Sequence, residues 1–118
     1  MKILVIGSGG EEKISRSQLK EMAAGFGNLV KAVVDIEKGI MAIGGELHAD
    51  EESLLLEKGS KQLHLWGINL YPELQGNDFI EFDSVINLRP MQGNRTRGID
   101  NVQLRQKIRE IVNKLILP

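Results

Sequence analysis

Cysteine is absent from this 118-residue sequence, which excludes disulfide bonds, thiolate nucleophiles and cysteine-ligated zinc. Its absence is typical of the reducing cytoplasm, and we expect a cytoplasmic location. Aromatic residues make up only 4% of the chain, too few for the stacking platforms that bind single-stranded nucleic acid. A basic excess is missing as well, because the net charge is -1. These two absences argue against a nucleic-acid partner.

Long apolar runs are also missing. No run approaches the roughly 20 residues that span a bilayer, so we expect no membrane segment. The N-terminal stretch MKILVIGSGG is too short for a convincing signal peptide. The composition is otherwise ordinary for a folded protein, since 42% of the residues are apolar and 26% are charged. We predict a single globular domain over residues 1–118.

The spacing of apolar residues predicts the element order β-α-β-β-α-β-β-α. Helices are expected over residues 15–26, 50–58 and 102–116, and strands over residues 2–6, 63–71 and 79–89. Residues 30–44 form a predicted hairpin whose turn is Lys38-Gly39, so that Glu37 faces Ile40. Each strand has one apolar and one mixed or polar face, which is typical of antiparallel sheets. The fold prediction is α+β, a mostly antiparallel sheet of four to five strands with three helices on one face. The side chains expected beneath the helices are Val34, Ile36, Trp66, Ile68, Phe82 and Ile86.

The polar loop that follows the predicted strand 79–89 is the strongest candidate site. Guanidinium groups and the N–H groups of a helix start near Asn101 together favour an anion. Gly93 and Gly98 would let a ligand approach the backbone. The alternative is a solvated loop whose arginines pair with nearby carboxylates. The residues of this arginine loop predicted to bind an anion are Arg89, Gln92, Asn94, Arg95 and Arg97.

Carboxylates form a second candidate site, an acidic patch. Spacing of two along a strand places Asp35 with Glu37, and Glu81 with Asp83, on one face each. If the two pairs converge, their oxygens suit magnesium or manganese, and the protein would be a metal-dependent phosphoester hydrolase or nuclease. The alternative is a polar sheet face exposed to water. Such a face could also be the interface of a structural homodimer.

Two further patterns point to no cofactor and no resident metal. The glycines after the first strand, G-S-G-G, lack the later glycine of a dinucleotide-binding turn, and Glu11 and Glu12 would repel a phosphate. His48 and His64 lie on different predicted elements and have no convincing third ligand. We therefore expect neither a nucleotide cofactor nor a zinc ion.

Four segments, taken in order, resemble a family of small bacterial and archaeal proteins classed only as a domain of unknown function. They are VVDIEKGIMAIGGELHADEE, LWGINLYPE, FIEFDSVINLRPMQGNR and KIREIVNKLI, and the resemblance runs from about Leu29 onward. It implies one intact domain and carries no activity, cofactor or catalytic residue. The sequence thus leaves open whether the chain is an enzyme. A module that binds an anionic small molecule is the first hypothesis, ahead of the hydrolase and the homodimer.

Overall fold

The fold combines three helices with a five-stranded sheet in a computed structural model that describes residues 3–7 and 12–118. The glycine turn expected after the first strand lies, beyond Gly7, outside the described residues. The strands are β1 (Leu4–Ile6), β2 (Ile14–Ser15), β3 (Val30–Asp35), β4 (Ile40–Ile43), β5 (Leu65–Leu70), β6 (Ile80–Glu81) and β7 (Ile116–Leu117). The helices are α1 (Arg16–Ala23), α2 (His48–Glu57) and α3 (Val102–Leu115).

The main sheet has the strand order β1-β4-β3-β5-β6, and all its neighbouring strands are antiparallel. A second, parallel pair joins β2 to β7 and so ties the entry of α1 to the end of α3. This pair was not predicted, because two residues are too few to show an alternation. The α+β class and the antiparallel sheet are confirmed.

The helices lie on both faces of the sheet, which corrects the prediction that all three share one face. Val34 and Ile68 belong to a large apolar cluster with residues of α1 and α3, such as Leu19 and Ile108. On the other face, Leu55 of α2 packs in a smaller cluster with Val33, Ala42, Leu65 and Ile40. The reason is visible in β3, whose sequence VKAVVD is apolar at consecutive positions. A strand of that kind is buried on both faces.

The β3–β4 hairpin has a different register from the predicted one. Asp35, rather than Glu37, lies opposite Ile40. The Asp35 carboxylate accepts hydrogen bonds from the backbone N–H groups of Glu37 and Lys38, both at 2.9 Å, and closes a longer turn in which Gly39 has φ +68. Because the register moves by two residues, each side chain stays on its expected face.

Residues 79–89 do not form one long strand, which corrects the prediction for this segment. Only β6 forms a strand in this segment, and two short 3-10 turns follow at Val85–Asn87 and Pro90–Gln92. Beside β5, the side chain of Asn87 replaces a strand: it accepts from Gly67 N at 2.8 Å and donates to Gly67 O at 2.9 Å. As a result Ile86 packs with the cluster under α2, opposite to its expected side, and Phe82 is only half-buried.

Side-chain caps mark the starts of two of the three helices. Ser15 and Gln18 form a capping box at the start of α1, and Asn101 caps α3 by accepting from Leu104 N at 3.0 Å. Helix α2 begins at His48, earlier than the expected Asp50, and has no side-chain cap. None of the helices formed by the described residues has the length and apolar character to cross a bilayer.

Candidate functional site

Arg89, the first residue of the arginine loop, is buried and fully engaged by the protein. Its Nε donates to Ile86 O at 3.0 Å and its Nη1 to Gln62 O at 2.9 Å. Its Nη2 donates to Leu65 O and lies 3.4 Å from Glu52 Oε2. The guanidinium also sits 4.6 Å from the centre of the Trp66 ring. Burial lowers the pKa of Arg89, and nearby Glu52 opposes that shift. Arg89 therefore joins segments of the fold and presents no donor face to a ligand.

Asn94 and Gln92 of the same loop also make internal contacts. The Asn94 amide is buried and donates to three carbonyls, Asn87 O at 2.7 Å, Thr96 O at 3.1 Å and Gly98 O at 2.7 Å. Its oxygen accepts from Asp100 N at 2.8 Å. Gln92 Nε2 donates to Leu63 O at 3.2 Å. These side chains hold the loop in shape.

Arg95 and Arg97 are the exposed arginines of the arginine loop. Arg97 Nε donates to Asp83 Oδ1 at 2.8 Å. The Arg95 guanidinium makes no hydrogen bond or ion pair with the described residues. At the nearby start of α3, the Asn101 cap already occupies a backbone N–H, and Asp100 Oδ2 accepts from Arg95 N at 3.3 Å. Anion binding by Arg95 and Arg97 stays a prediction.

The four carboxylates of the acidic patch do not converge, so the metal site suggested for them is not assembled. Asp35 lies opposite Leu65, whereas Glu81 lies opposite Asn69, and those positions are about 13 Å apart along β5. Asp35 is buried in the hairpin turn and accepts from Ser60 Oγ at 2.6 Å. In the part of the chain that the structure describes, no group of three or more His, Asp or Glu side chains could hold a metal ion.

Glu81 belongs instead to a small polar network at the edge of the sheet. Its Oε1 accepts from Asn69 Nδ2 at 2.9 Å and from Tyr71 Oη at 3.0 Å. His48 lies nearby, with Nε2 donating to Ile68 O at 2.8 Å, and burial lowers its pKa below the usual 6.5. This network pairs Asn69 Nδ2 and the Tyr71 hydroxyl with Glu81, whereas Asn69 Oδ1 is buried without a partner among the described residues.

A second buried acid, Glu51 of α2, lies above the end of β4. It is fully buried, and its Oε2 accepts from Gly45 N at 2.9 Å. Burial raises the pKa of Glu51 to about 9, and the Gly45 hydrogen bond only partly opposes this rise. The carboxyl is therefore protonated at neutral pH.

A cleft of about 580 Å³ opens at the other end of the sheet, where β1 ends and the β3–β4 turn projects. We call it the lysine cleft, because four lysines and a single glutamate are the only charged residues among its described lining. Its volume falls within the range of roughly 300–1,000 Å³ typical of ligand pockets. The lining residues are Val5, Gly7, Ile36, Glu37, Lys38, Gly39, Ile40, Lys58, Lys107, Ile111, Lys114 and Leu115.

Three separate elements bring the lysines of this cleft together. Lys38 belongs to the β3–β4 turn, and Lys58 is the C-terminal cap residue of α2. Lys107 and Lys114 stand seven residues apart on α3, so they share one helix face with Ile111 between them. The turn and the end of α2 are in contact: a Cβ placed on Gly59 would lie 3.4 Å from Lys38 Nζ.

Glycines at the rim allow β1 and the hairpin turn to meet. A Cβ on Gly7 would lie 2.9 Å from Gly39 O and 3.1 Å from two atoms of Leu115, so no larger residue fits there. Gly7 also has φ +91, a backbone conformation that favours glycine. The cleft therefore forms where the end of β1 meets the β3–β4 turn.

The electrostatics of the cleft are one-sided. None of the four lysines forms an ion pair or a side-chain hydrogen bond within the described ranges, and Glu37 is the one acid on the described lining. Ammonium groups gathered at a concave surface create a positive potential that attracts anions. An arrangement of this kind is suited chemically to holding a negatively charged molecule.

Sequence reasoning missed these lysines because each has another local explanation. Lys38-Gly39 is typical of a turn, and Lys58-Gly59 is typical of a helix end. The lysines of α3 are typical of the solvent-exposed face of a helix. The one available signal is the pair Lys107 and Lys114, which flanks the apolar Ile111 at helical spacing. That spacing alone does not reveal a cleft.

The fold and the cleft define a small α+β protein with helices on both faces of an antiparallel sheet. Residues 10–115 match the family described as "Protein of unknown function (DUF5674)", and the chain belongs to that family. The resemblance to a domain of unknown function is thereby confirmed, and it extends further toward the N-terminus than Leu29. No curated protein and no solved structure matches the chain.

Proposed function

We propose that this protein is a binding module whose lysine cleft takes an anionic small molecule. The observation that carries the proposal is the convergence of Lys38, Lys58 and the α3 lysines around one concave surface. These four residues come from three elements, and Glu37 is the one acid among the described residues that line the cleft with them. Binding an anion would relieve the repulsion among the ammonium groups, which no described acid neutralises by an ion pair.

This proposal keeps the kind of function inferred first from the sequence, a module that binds an anionic small molecule. It differs in the site, which is the lysine cleft and not the arginine loop. Arg89 and Asn94, at the centre of the expected anion site, donate to backbone carbonyls instead. The lysine cleft gathers four cations that have no ion pair with the described residues onto one concave surface, whereas Arg95 is the one arginine of the loop without such a partner. A hydrolase that uses the acidic patch has no support, because Asp35 and Glu81 lie at opposite ends of the sheet.

Titration calorimetry with inorganic pyrophosphate tests this proposal. The wild-type chain is expected to bind with an affinity that falls as salt rises, because the charges are solvent-accessible. The double substitution Lys107→Gln and Lys114→Gln is expected to weaken binding by roughly tenfold, from the loss of two favourable charge interactions.

Lys20→Gln is the matched control for this experiment. Lys20 is an exposed helix lysine that pairs at 3.9 Å with Glu73, away from the cleft. It removes one positive charge, as each single variant Lys107→Gln and Lys114→Gln does, and it is compared with those two; its pyrophosphate affinity should change less than about twofold. A loss in Lys20→Gln equal to that in each single variant would show an effect of net charge and not of the cleft, and would refute the site.

The homodimer stays a prediction with weaker motivation. It rested on a sheet face open to solvent, whereas Leu55 of α2 covers the middle of that face. Light scattering at high micromolar concentration tests it directly, and a monomer mass would remove it.

A further inference from the structure

The floor of the lysine cleft is apolar. Ile36, Ile111 and Leu115 belong to or pack against the apolar cluster under α1 and α3, and Val5 and Ile40 belong to or pack against the cluster under α2. The cleft therefore lies where the two apolar layers of the fold meet at the end of the sheet. Its floor continues into the packed core, which keeps its shape fixed.

The polar groups of the cleft are almost all ammonium groups. Apart from the lysines and Glu37, the described lining has no side chain that donates or accepts a hydrogen bond. It also has no aromatic ring on which a base could stack. A sugar or nucleobase placed there would find only the ammonium groups and Glu37 as side-chain hydrogen-bonding partners, and the apolar floor would leave its other hydroxyl or amide groups unpaired. The described part of the cleft thus selects against hydroxyl-rich anions.

Lysine suits the charged end of such a ligand. An ammonium group is a compact charge on a flexible stem, and it makes no demand for the planar, bidentate geometry that arginine reads. The alkyl stems of Lys107 and Lys114 flank Ile111 and extend the apolar surface up the wall. The cleft therefore places apolar contact at the bottom and positive charge at the rim.

On the basis of the proposed function, we infer that the ligand of the lysine cleft is an amphiphilic anion. Its hydrocarbon body lies on the apolar floor, and the lysines hold its phosphate or carboxylate head. The hydrocarbon supplies binding through buried apolar area, and the head supplies orientation. This chemistry differs from that of a sugar phosphate or a nucleotide, whose bodies need hydrogen-bonding partners.

The test compares four probes by titration calorimetry: inorganic phosphate, butyl phosphate, hexyl phosphate and glucose 6-phosphate. Hexyl phosphate is expected to bind at least tenfold more tightly than inorganic phosphate and glucose 6-phosphate. Between butyl and hexyl phosphate, each covered methylene is expected to raise the affinity by up to about fourfold. The corresponding alkyl carboxylates, tested in parallel, distinguish a phosphate head from a carboxylate head.

A floor variant separates apolar contact from charge. Ile36 is half-buried, so Ile36→Ala trims the floor at a position where thermal melting can verify folding. It should reduce the advantage of hexyl phosphate over inorganic phosphate while leaving inorganic phosphate binding unchanged.

The outcomes distinguish the two proposals. Equal affinities for all four probes, or tighter binding of glucose 6-phosphate, would overturn the amphiphilic ligand and leave anion binding standing. No binding of any probe at millimolar concentration, together with none of pyrophosphate, would overturn both.

Discussion

The arginine loop and the lysine cleft carry the same sign of charge and use it in opposite ways. At the loop, Arg89 turns its guanidinium inward and donates to the carbonyls of Ile86, Gln62 and Leu65. At the cleft, Lys107 and Lys114 keep their ammonium groups at a concave surface without ion pairs to the described residues. A cluster of basic residues is therefore not evidence of a ligand site until the partners of each cation are known.

The chemistry of the two side chains explains this difference. A guanidinium has five N–H donors in a fixed plane, so it can satisfy several backbone carbonyls and stack on an aromatic ring such as Trp66 at the same time. An ammonium has a compact hydration shell and loses more when buried. Arginine is therefore the better structural cation, and lysine the better surface charge.

The largest loss of stability is expected from Arg89→Ala. It leaves three carbonyls without their donors and exposes Trp66, and it should lower the free energy of unfolding by about 3–5 kcal/mol. Urea denaturation measures the change. Arg89→Lys should recover less than half of it, because one ammonium cannot reach all three carbonyls. A loss below about 1 kcal/mol would contradict the structural role.

Asn94→Ala should have the next largest effect. Its amide holds Asn87, Thr96 and Gly98 together, and truncation strands buried polar groups at a cost of about 1–3 kcal/mol. Asn94→Asp is the control, since it keeps the shape but loses the donors, and it should be no more stable than the alanine variant. Thermal melting of both variants checks this order.

The lysine double variant, Lys107→Gln with Lys114→Gln, should leave stability nearly unchanged. Removing two neighbouring like charges relieves repulsion, so the free energy of unfolding should stay within about 0.5 kcal/mol of wild type or rise slightly. Urea denaturation without ligand measures it. A loss of several kcal/mol would show that these lysines, like Arg89, are structural cations.

Arg95→Ala should have the smallest effect. Its exposed guanidinium contacts no described acid, so the expected change in stability is below about 0.5 kcal/mol. If the lysine cleft is the anion site, pyrophosphate binding is unchanged in calorimetry. A loss of binding in this variant, with none in the lysine double variant, would return the site to the arginine loop.

The parts of the fold predicted from the sequence are those governed by local signals. Helix α3 follows from an apolar stripe that includes Ile108 and Val112, with Asn101 as its cap. The start of α1 follows from the Ser15 and Gln18 pair. These features depend on residues three or four apart, and such spacing can be read directly.

The features that could not be predicted from the sequence depend on contacts between distant segments. The side of the sheet taken by α2 was ambiguous because β3 is apolar on both faces. The hairpin register depends on where the Asp35 carboxylate turns. The arginine loop was misread at Arg89, whose carbonyl partners at Gln62 and Leu65 lie more than 20 residues away. The lysine cleft, likewise, exists only after three elements have met.

The buried Glu51 makes folding of this chain a proton-uptake reaction. The pKa of its carboxyl is near 4.5 when exposed and about 9 in the folded protein, so between these values only the folded state holds the proton. Stability contributed by this group is fully present below pH 4.5 and is lost as pH rises toward 9, by up to about 1.4 kcal/mol per unit. Near pH 7, calorimetric unfolding in buffers of different ionisation enthalpy should count about one proton released per chain, and Glu51→Gln should abolish it.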